Sequence, residues 1–184
     1  MKNDCKVVTG PRTRWAYVNV WEPKPTHDGK TLKYSLRLII PKDDTCTIGK
    51  IRRAMRAAYE EGANRLRDEA GVLPPFDDLQ LPLMDGDDPG IRIQPEVYRG
   101  HWYINSNSSG APRVIDENHE PVITHSRVYS GVYGRVSITF YAWRHGEKYG
   151  IACGLNNLQL IRAGEPLGTR STPEEDFADI DEEE

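Results

Sequence analysis

The chain has 184 residues, of which 38% are hydrophobic and 28% charged, enough for one domain with a real core and a balance that suits a soluble globular protein. No apolar run approaches the roughly 20 residues of a membrane-spanning helix, and the N-terminal MKNDCKVVTG lacks the apolar stretch of a secretory signal, so a cytoplasmic protein is expected. The formal charge of −4 conceals a split: PEEDFADIDEEE (173–184) carries 8 of the 28 acidic residues and no basic one, leaving 20 acids against all 24 Lys and Arg, a formal +4.

In chain order, RTRWAYVNVW (12–21) alternates, with Ala16, Val18 and Val20 on one side and Trp15, Tyr17, Asn19 and Trp21 on the other. Period two predicts a strand. Pro23, Pro25, Asp28 and Gly29 then predict a turn. LKYSLRLII (32–40) predicts a second strand, its apolar face Leu32, Tyr34, Leu36, Leu38 and Ile40, its wet face Lys33, Ser35 and Arg37. From about Thr45 to Glu69 the period changes. Ile48, Ile51, Met55, Ala58, Tyr59 and Leu66 recur at three- and four-residue steps, which predicts an amphipathic helix capped by Asp43, Asp44 or Thr45 and stopped by Gly71. Its other face carries Lys50, Arg52, Arg53 and Arg56 early, where cations are mildly unfavourable with the helix dipole.

Residues 72–99 are rich in Pro, Asp and Gly. DGDDPG (85–90) lacks the alternating ligands and distant glutamate of a calcium loop, and reads as a turn. HWYIN (101–105) predicts a third strand. YSGVYGRVSITFYAW (129–143) predicts a long one, bent at its glycines, with Tyr133, Arg135, Ser137, Thr139, Tyr141 and Trp143 on one face. KYGIAC (148–153) predicts its hairpin partner, and 158–162 a last short strand. No internal repeat and no second domain is evident. The pattern is mainly β with one long helix, which predicts a small closed or partly open barrel over 1–170 followed by a disordered acidic tail over 171–184.

Signals for an enzyme are poor. The chain has no phosphate-binding glycine loop and no HExxH, and Cys5, Cys46 and Cys153 lack metal spacing. These cysteines are expected to be reduced and mostly buried. Asp77, Asp78, Asp85, Asp87 and Asp88 could in principle hold magnesium, but they lie where acidic residues serve turns. No metal and no cofactor is expected.

The strand faces say more. Tyr17 with Trp15 beside it, Lys33 and Arg37, Tyr103, Arg135, Tyr141 and Trp143 put aromatics and cations on surfaces that should not all be core. Flat rings accept any base by stacking, and cations track phosphates. Only a single strand offers its base faces in this way, because a duplex hides them.

VTGPRTRWAYVNVWEPKP (8–25), KYSLRLIIPKDD (33–44), GHWYINSNS (100–108), YSGVYGRVSITFYAW (129–143) and GIACGLNNLQLIRAGEPLG (150–168) together resemble the bacteriophage single-stranded DNA-binding proteins, in order and over nearly the whole chain. The resemblance implies an OB fold that binds single-stranded DNA without sequence preference in phage replication or recombination, within the host cytosol. It also implies a task for the tail. In such proteins an acidic C-terminus with an aromatic residue recruits replication proteins and competes for the DNA groove. Glu174, Glu175, Asp176, Phe177, Asp179 and Asp181 are similar, although Phe177 is not terminal here.

The expected base-stacking residues are Trp15, Tyr17, Tyr103 and Tyr141; the expected phosphate contacts are Lys33, Arg37, Arg135 and Lys148. The expected partners are single-stranded DNA and, through the tail, replication or recombination proteins, with weak self-association also allowed and no membrane. An RNA-binding module, or a phage assembly protein using these faces as a subunit interface, are the rival readings.

Overall fold

A computed structural model describes residues 3–167 of the chain; the acidic residues from Glu174 onward, with Phe177, lie outside the described residues. Two long strands, β2 (Arg14–Pro25) and β3 (Leu32–Pro41), pair antiparallel around a turn in which Gly29 takes φ +69°. Pro23 and Pro25 end β2 rather than forming the turn. The alternation of β3 sends Leu36, Leu38 and Ile40 into the core.

The long helix α1 (Thr45–Glu61) follows, and the Asp44 side chain caps it by accepting the Thr47 N–H at 3.2 Å. Ile48, Ile51, Met55 and Ala58, at three- and four-residue steps, are buried. The helix ends at Gly62, nine residues before the expected stop at Gly71. A Cβ at Gly62 would stand 2.3 Å from the Cβ of Ala142, so glycine lets the helix end touch the sheet. The one-turn α2 (Ala63–Leu66) then carries Leu66 into the core, which accounts for its place in the helical period.

The Pro/Gly-rich segment holds a two-residue strand β4 (Met84–Asp85) and a one-turn helix α3 (Pro95–Tyr98). β5 (His101–Ser108) is longer than expected, and β6 (Arg113–Ile115) is short. β7 (Tyr133–His145) and β8 (Lys148–Arg162) form the dominant hairpin. β8 is one continuous strand where two short ones were expected. A register slip opposite Ser137 and Ile138 lets it bend without breaking.

Five strands close a ring, β2–β3–β5–β8–β7 and back to β2, with β5 and β8 parallel and the other pairs antiparallel. This is the partly open five-stranded barrel of the OB architecture. The returning seam is narrow. It consists of the pair Arg14↔Tyr133, the Trp15 N–H donating to Val132 at 2.9 Å and the Gly131 N–H donating to Trp15 at 2.8 Å. Below the seam the N-terminal strand β1 (Lys6–Val8) continues along the same edge of β7. The helix α1 packs against β1 and β7.

The core runs through the barrel from Trp15, Val20 and Ile104 to Phe140, Ile151 and Leu158. Cys5 and Cys153 are buried and Cys46 on α1 is exposed, so the thiols are mostly buried, as expected. Burial first, and then the Glu61 carboxylate accepting from its Sγ, push the Cys5 thiol up to about 11. Among the described residues no helix is long and apolar enough to cross a membrane.

Candidate nucleic-acid interface

The pairing of β2 with β3 slips in two places, between Ala16 and Asn19 and between Asn19 and Lys24, and the outer face of the barrel is built around the first. Ala16 pairs with Arg37 and Asn19 with Ser35, so β2 carries one residue more than β3 between these pairs. Tyr17 takes up the surplus with φ +47°, a left-handed conformation that is rare for a bulky residue. Trp15 and Ala16 are thereby both buried, on opposite sides of the sheet, and Tyr17 stands out at 53% exposure.

The expectation that Trp15 stacks on a base is therefore corrected. Its ring is fully buried and its indole N–H donates to the Gly134 carbonyl at 3.2 Å. Gly134 is the bare position this ring needs, since a Cβ there would lie 2.6 Å from Cζ2 of Trp15.

Arg37 projects outward from β3 into a group of three tyrosines. Its guanidinium carbon lies 4.7 Å from the ring centre of Tyr17, 4.9 Å from that of Tyr103 and 5.7 Å from that of Tyr98. Its Nε donates to Oδ1 of Asn105 at 2.7 Å and its Nη1 to the Tyr98 hydroxyl at 3.0 Å. Among the described residues these two bonds leave three of a guanidinium's five N–H donors for an anion. Tyr98 and Tyr103 meet edge to face at 5.1 Å. Tyr98 forms a small second core with Ala16 and Ile39, and Tyr103 packs against it. A cleft of about 500 Å³ opens here, lined by Tyr17, Arg37, Asp88, Arg92, Tyr98 and Tyr103. An adjoining hollow of about 390 Å³ shares Tyr17 and Tyr98 and reaches Leu167, whose carbonyl accepts from Gln94 Nε2 at 3.0 Å.

Register carries this face around the barrel. Asn19, Ser35, Asn107, Gly154, Thr139 and Lys6 are successive partners on β2, β3, β5, β8, β7 and β1. Direct partners share a face, and none of the six is buried. They form a transverse row of small or polar side chains. Arg37, Asn105 and Tyr141 flank it on one side, each two residues along its own strand. Arg37 and Tyr141 are three strands apart, about 14 Å along the sheet at about 4.8 Å per strand.

The predicted residues thus divide. Tyr17, Arg37 and Tyr103 come together, and Tyr141, 39% exposed, stands farther along the same flank. Lys33 lies on the other side of the row opposite a second cation, Lys24. Arg135 is exposed on β7 in a separate hollow of about 310 Å³ with Arg113 and Gln159. Lys148 is exposed at the β7–β8 turn. Neither joins the Arg37 cluster. Sequence reasoning missed Tyr98 and Asn105. Tyr98 sits in a segment read as turns, and only the Pro95 start of α3 signalled a helix there. It also missed a second cation–aromatic group at the seam, where the Arg162 guanidinium lies 4.0 Å and that of Arg14 5.2 Å from the Tyr133 ring.

Among the described residues no three His, Cys, Asp or Glu side chains converge as a metal site. Asp85 and Asp87, considered for magnesium, both accept from Lys42 Nζ at 2.6 Å. That cation, and then backbone N–H groups, hold both carboxyls below their ordinary value.

The solved single-stranded DNA-binding protein of bacteriophage Enc34 in complex with ssDNA is similar to this fold, with a TM-score of 0.68 at 22% identity over 89% of this chain and 90% of that one. The single-stranded DNA-binding protein encoded by bacteriophage T7 gives 0.62 at 13% identity over 91% and 97%. Among curated sequences, the putative protein p50 of Acyrthosiphon pisum secondary endosymbiont phage 1 is 27% identical over 176 residues, 93% of either chain. The family described as "Enterobacter phage Enc34, ssDNA-binding protein" matches residues 5–184. The chain belongs to that family of phage single-stranded DNA-binding proteins.

Proposed function

We propose that the chain is a non-enzymatic, sequence-independent binder of single-stranded DNA, acting in phage DNA replication or recombination in the host cytosol. The observation that carries this reading is Arg37, held among Tyr17, Tyr98 and Tyr103 with donors to spare. Bases stack on Tyr17, Tyr103 and Tyr141, each stack worth about 1–3 kcal/mol. Arg37 and the flanking cations Lys33, Arg135 and Lys148 meet phosphates, which makes the affinity fall with salt. The row of small or polar side chains, none of them buried, lets a strand lie across the barrel. Family membership and the likeness to the Enc34 complex support the same assignment.

The acidic tail is proposed to compete with DNA for this face and to recruit replication proteins. In support, Leu167 is fixed beside Tyr17 and Tyr98, so the remaining 17 residues, 168–184, leave from the rim of the cleft.

The test is anisotropy of a labelled oligo(dT) titrated with protein, with matched RNA as competitor. Saturable binding that weakens with salt and resists RNA supports the proposal. Equal competition by RNA would favour an RNA-binding module, and no binding a structural protein. Tryptophan quenching would report no single site here, because Trp15 is sealed in the core, Trp21 is stacked on His125 at 4.0 Å, and Trp102 and Trp143 are both half-buried.

A further inference from the structure

A second cationic surface lies outside the Arg37 cluster. The outward side of α1 and the strand β1 enclose an open groove of about 820 Å³. Five cations line it: Lys6, Lys50, Arg52, Arg53 and Arg56. Two acids, Asp4 and Glu60, stand with them, leaving a formal excess of three positive charges. Among the described residues none of the five cations is in an ion pair. The first turn of α1 holds no acid, and the Asp44 carboxylate is engaged in capping the helix at Thr47. Arg52 and Arg56 are held over Trp102 at 5.2 Å and Phe76 at 4.4 Å, which orders their guanidinium groups without neutralising them. Lys50 and Arg53 are exposed.

Among the described residues the groove lining includes Val7, Val8 and Ala57 but no aromatic ring. Bases would find no ring there to stack on, whereas a chain of phosphates would find five cations. Its position supplies the occupant. The transverse row ends on Lys6, the register partner of Thr139, and Lys6 also lines the groove. A strand crossing the row from Asn19 travels five strand spacings, about 24 Å at about 4.8 Å each, and arrives at the groove mouth. The acidic tail departs from Leu167, beside Tyr17 at the opposite end of that row.

We infer that the groove between β1 and α1 is a phosphate track that takes the backbone of the same DNA strand once it has crossed the barrel face. This rests on the single-stranded DNA reading above and extends it: one molecule grips a strand at two places, stacking bases at the Arg37 cluster and holding only phosphates along α1. Short strands therefore use the first place alone, and long strands use both.

The experiment compares full-length protein with its Lys50→Gln/Arg53→Gln variant on oligo(dT) of about 5 and about 20 nucleotides, below and above most of the roughly 4–16 nucleotides that OB folds occupy. Expected is affinity for the short strand within about 2-fold of the parent. For the long strand a loss on the order of 10-fold is expected, and a salt slope smaller by about 1.4, or 0.7 for each lost phosphate contact. Unchanged long-strand binding overturns the inference while leaving the Arg37 reading intact; absence of binding by the parent protein at either length overturns both. The comparison is repeated on a full chain with Glu174→Gln, Glu175→Gln, Asp176→Asn, Asp179→Asn and Asp181→Asn. Persistence of the long-strand loss there supports the track. Its disappearance shows the groove to be a dock for the acidic tail and overturns the inference.

Discussion

Arg37 lies 4.7 Å from the ring centre of Tyr17, and the ring is brought there by a backbone that has left the ordinary strand conformation at φ +47°. Strain of this kind costs on the order of 1–3 kcal/mol and persists only where the surroundings impose it. Here the surroundings are the buried Trp15 and Ala16 on either side of the sheet, which fix the bulge and thereby the exposed ring.

Replacing Arg37 separates its charge from its shape. Arg37→Ala removes one phosphate contact and should lower the salt slope of oligo(dT) binding by about 0.7. Arg37→Lys should keep that slope but bind several-fold more weakly, because an ammonium cannot reproduce the planar fork to Asn105 and Tyr98 or its stacking against the rings. Titrations at three or more salt concentrations distinguish the two. Equal slopes in Arg37→Ala and the parent would remove Arg37 from the phosphate path.

Trp15 and Tyr17, two residues apart, should respond oppositely. Trp15→Ala empties a fully buried site and should cost about 3–5 kcal/mol of stability in denaturant titration. Tyr17→Ala should leave stability nearly unchanged and weaken DNA binding by about 1–3 kcal/mol. A large stability loss in Tyr17→Ala with DNA affinity intact would make Tyr17 a packing residue.

The Lys42–Asp85–Asp87 group ties the start of the helix approach to the loop before β5, and it titrates on both sides of neutrality. Both aspartates are held below their ordinary value of 3.8 and Lys42 above its ordinary 10.5. A depressed carboxyl contributes stability above its unfolded value, and this is lost as pH falls through the folded one. A raised ammonium contributes below its unfolded value, and this is lost as pH rises through the folded one. The stability difference between the parent and Lys42→Met, which keeps an apolar stem beside Trp102, should therefore be flat from about pH 5 to about pH 9. It should shrink below about pH 4 and again above about pH 10. A difference that stays constant down to pH 2 would mean the bridge contributes nothing through charge.

Removing residues 174–184 should tighten oligo(dT) binding, most visibly near 50 mM salt, because a tethered anion beside the cleft competes at roughly millimolar effective concentration. Affinities of the full and shortened chains that coincide at low salt would leave the tail no part in competition.

Much of the barrel was legible in the sequence because its strands alternate cleanly. The pattern of β3 and β7 placed Leu36, Leu38, Val136 and Phe140 inside and Arg37 and Tyr141 outside, as the structure has them. β2 misled at Trp15, since one left-handed residue shifts the side-chain phase and no propensity announces a tyrosine in that conformation. The helix end misled because Gly62 is set by contact with Ala142, some 80 residues away, which a local pattern does not record. Tyr98 was hidden for a similar reason: its place beside Arg37 comes from the fold of the loop between β4 and β5, not from any period along the chain.

β8 touches β5, β6 and β7, and it is the last strand of the ring. Until residues 148–162 are available, the parallel partner of β5 does not exist and β7 has no hairpin mate. On a chain emerging from the ribosome, closure must therefore wait for nearly the entire described length, with sheet edges open meanwhile. Pairings of such long sequence separation slow folding. The same strand that completes the binding surface thus sets when the molecule first becomes safe from pairing with its neighbours.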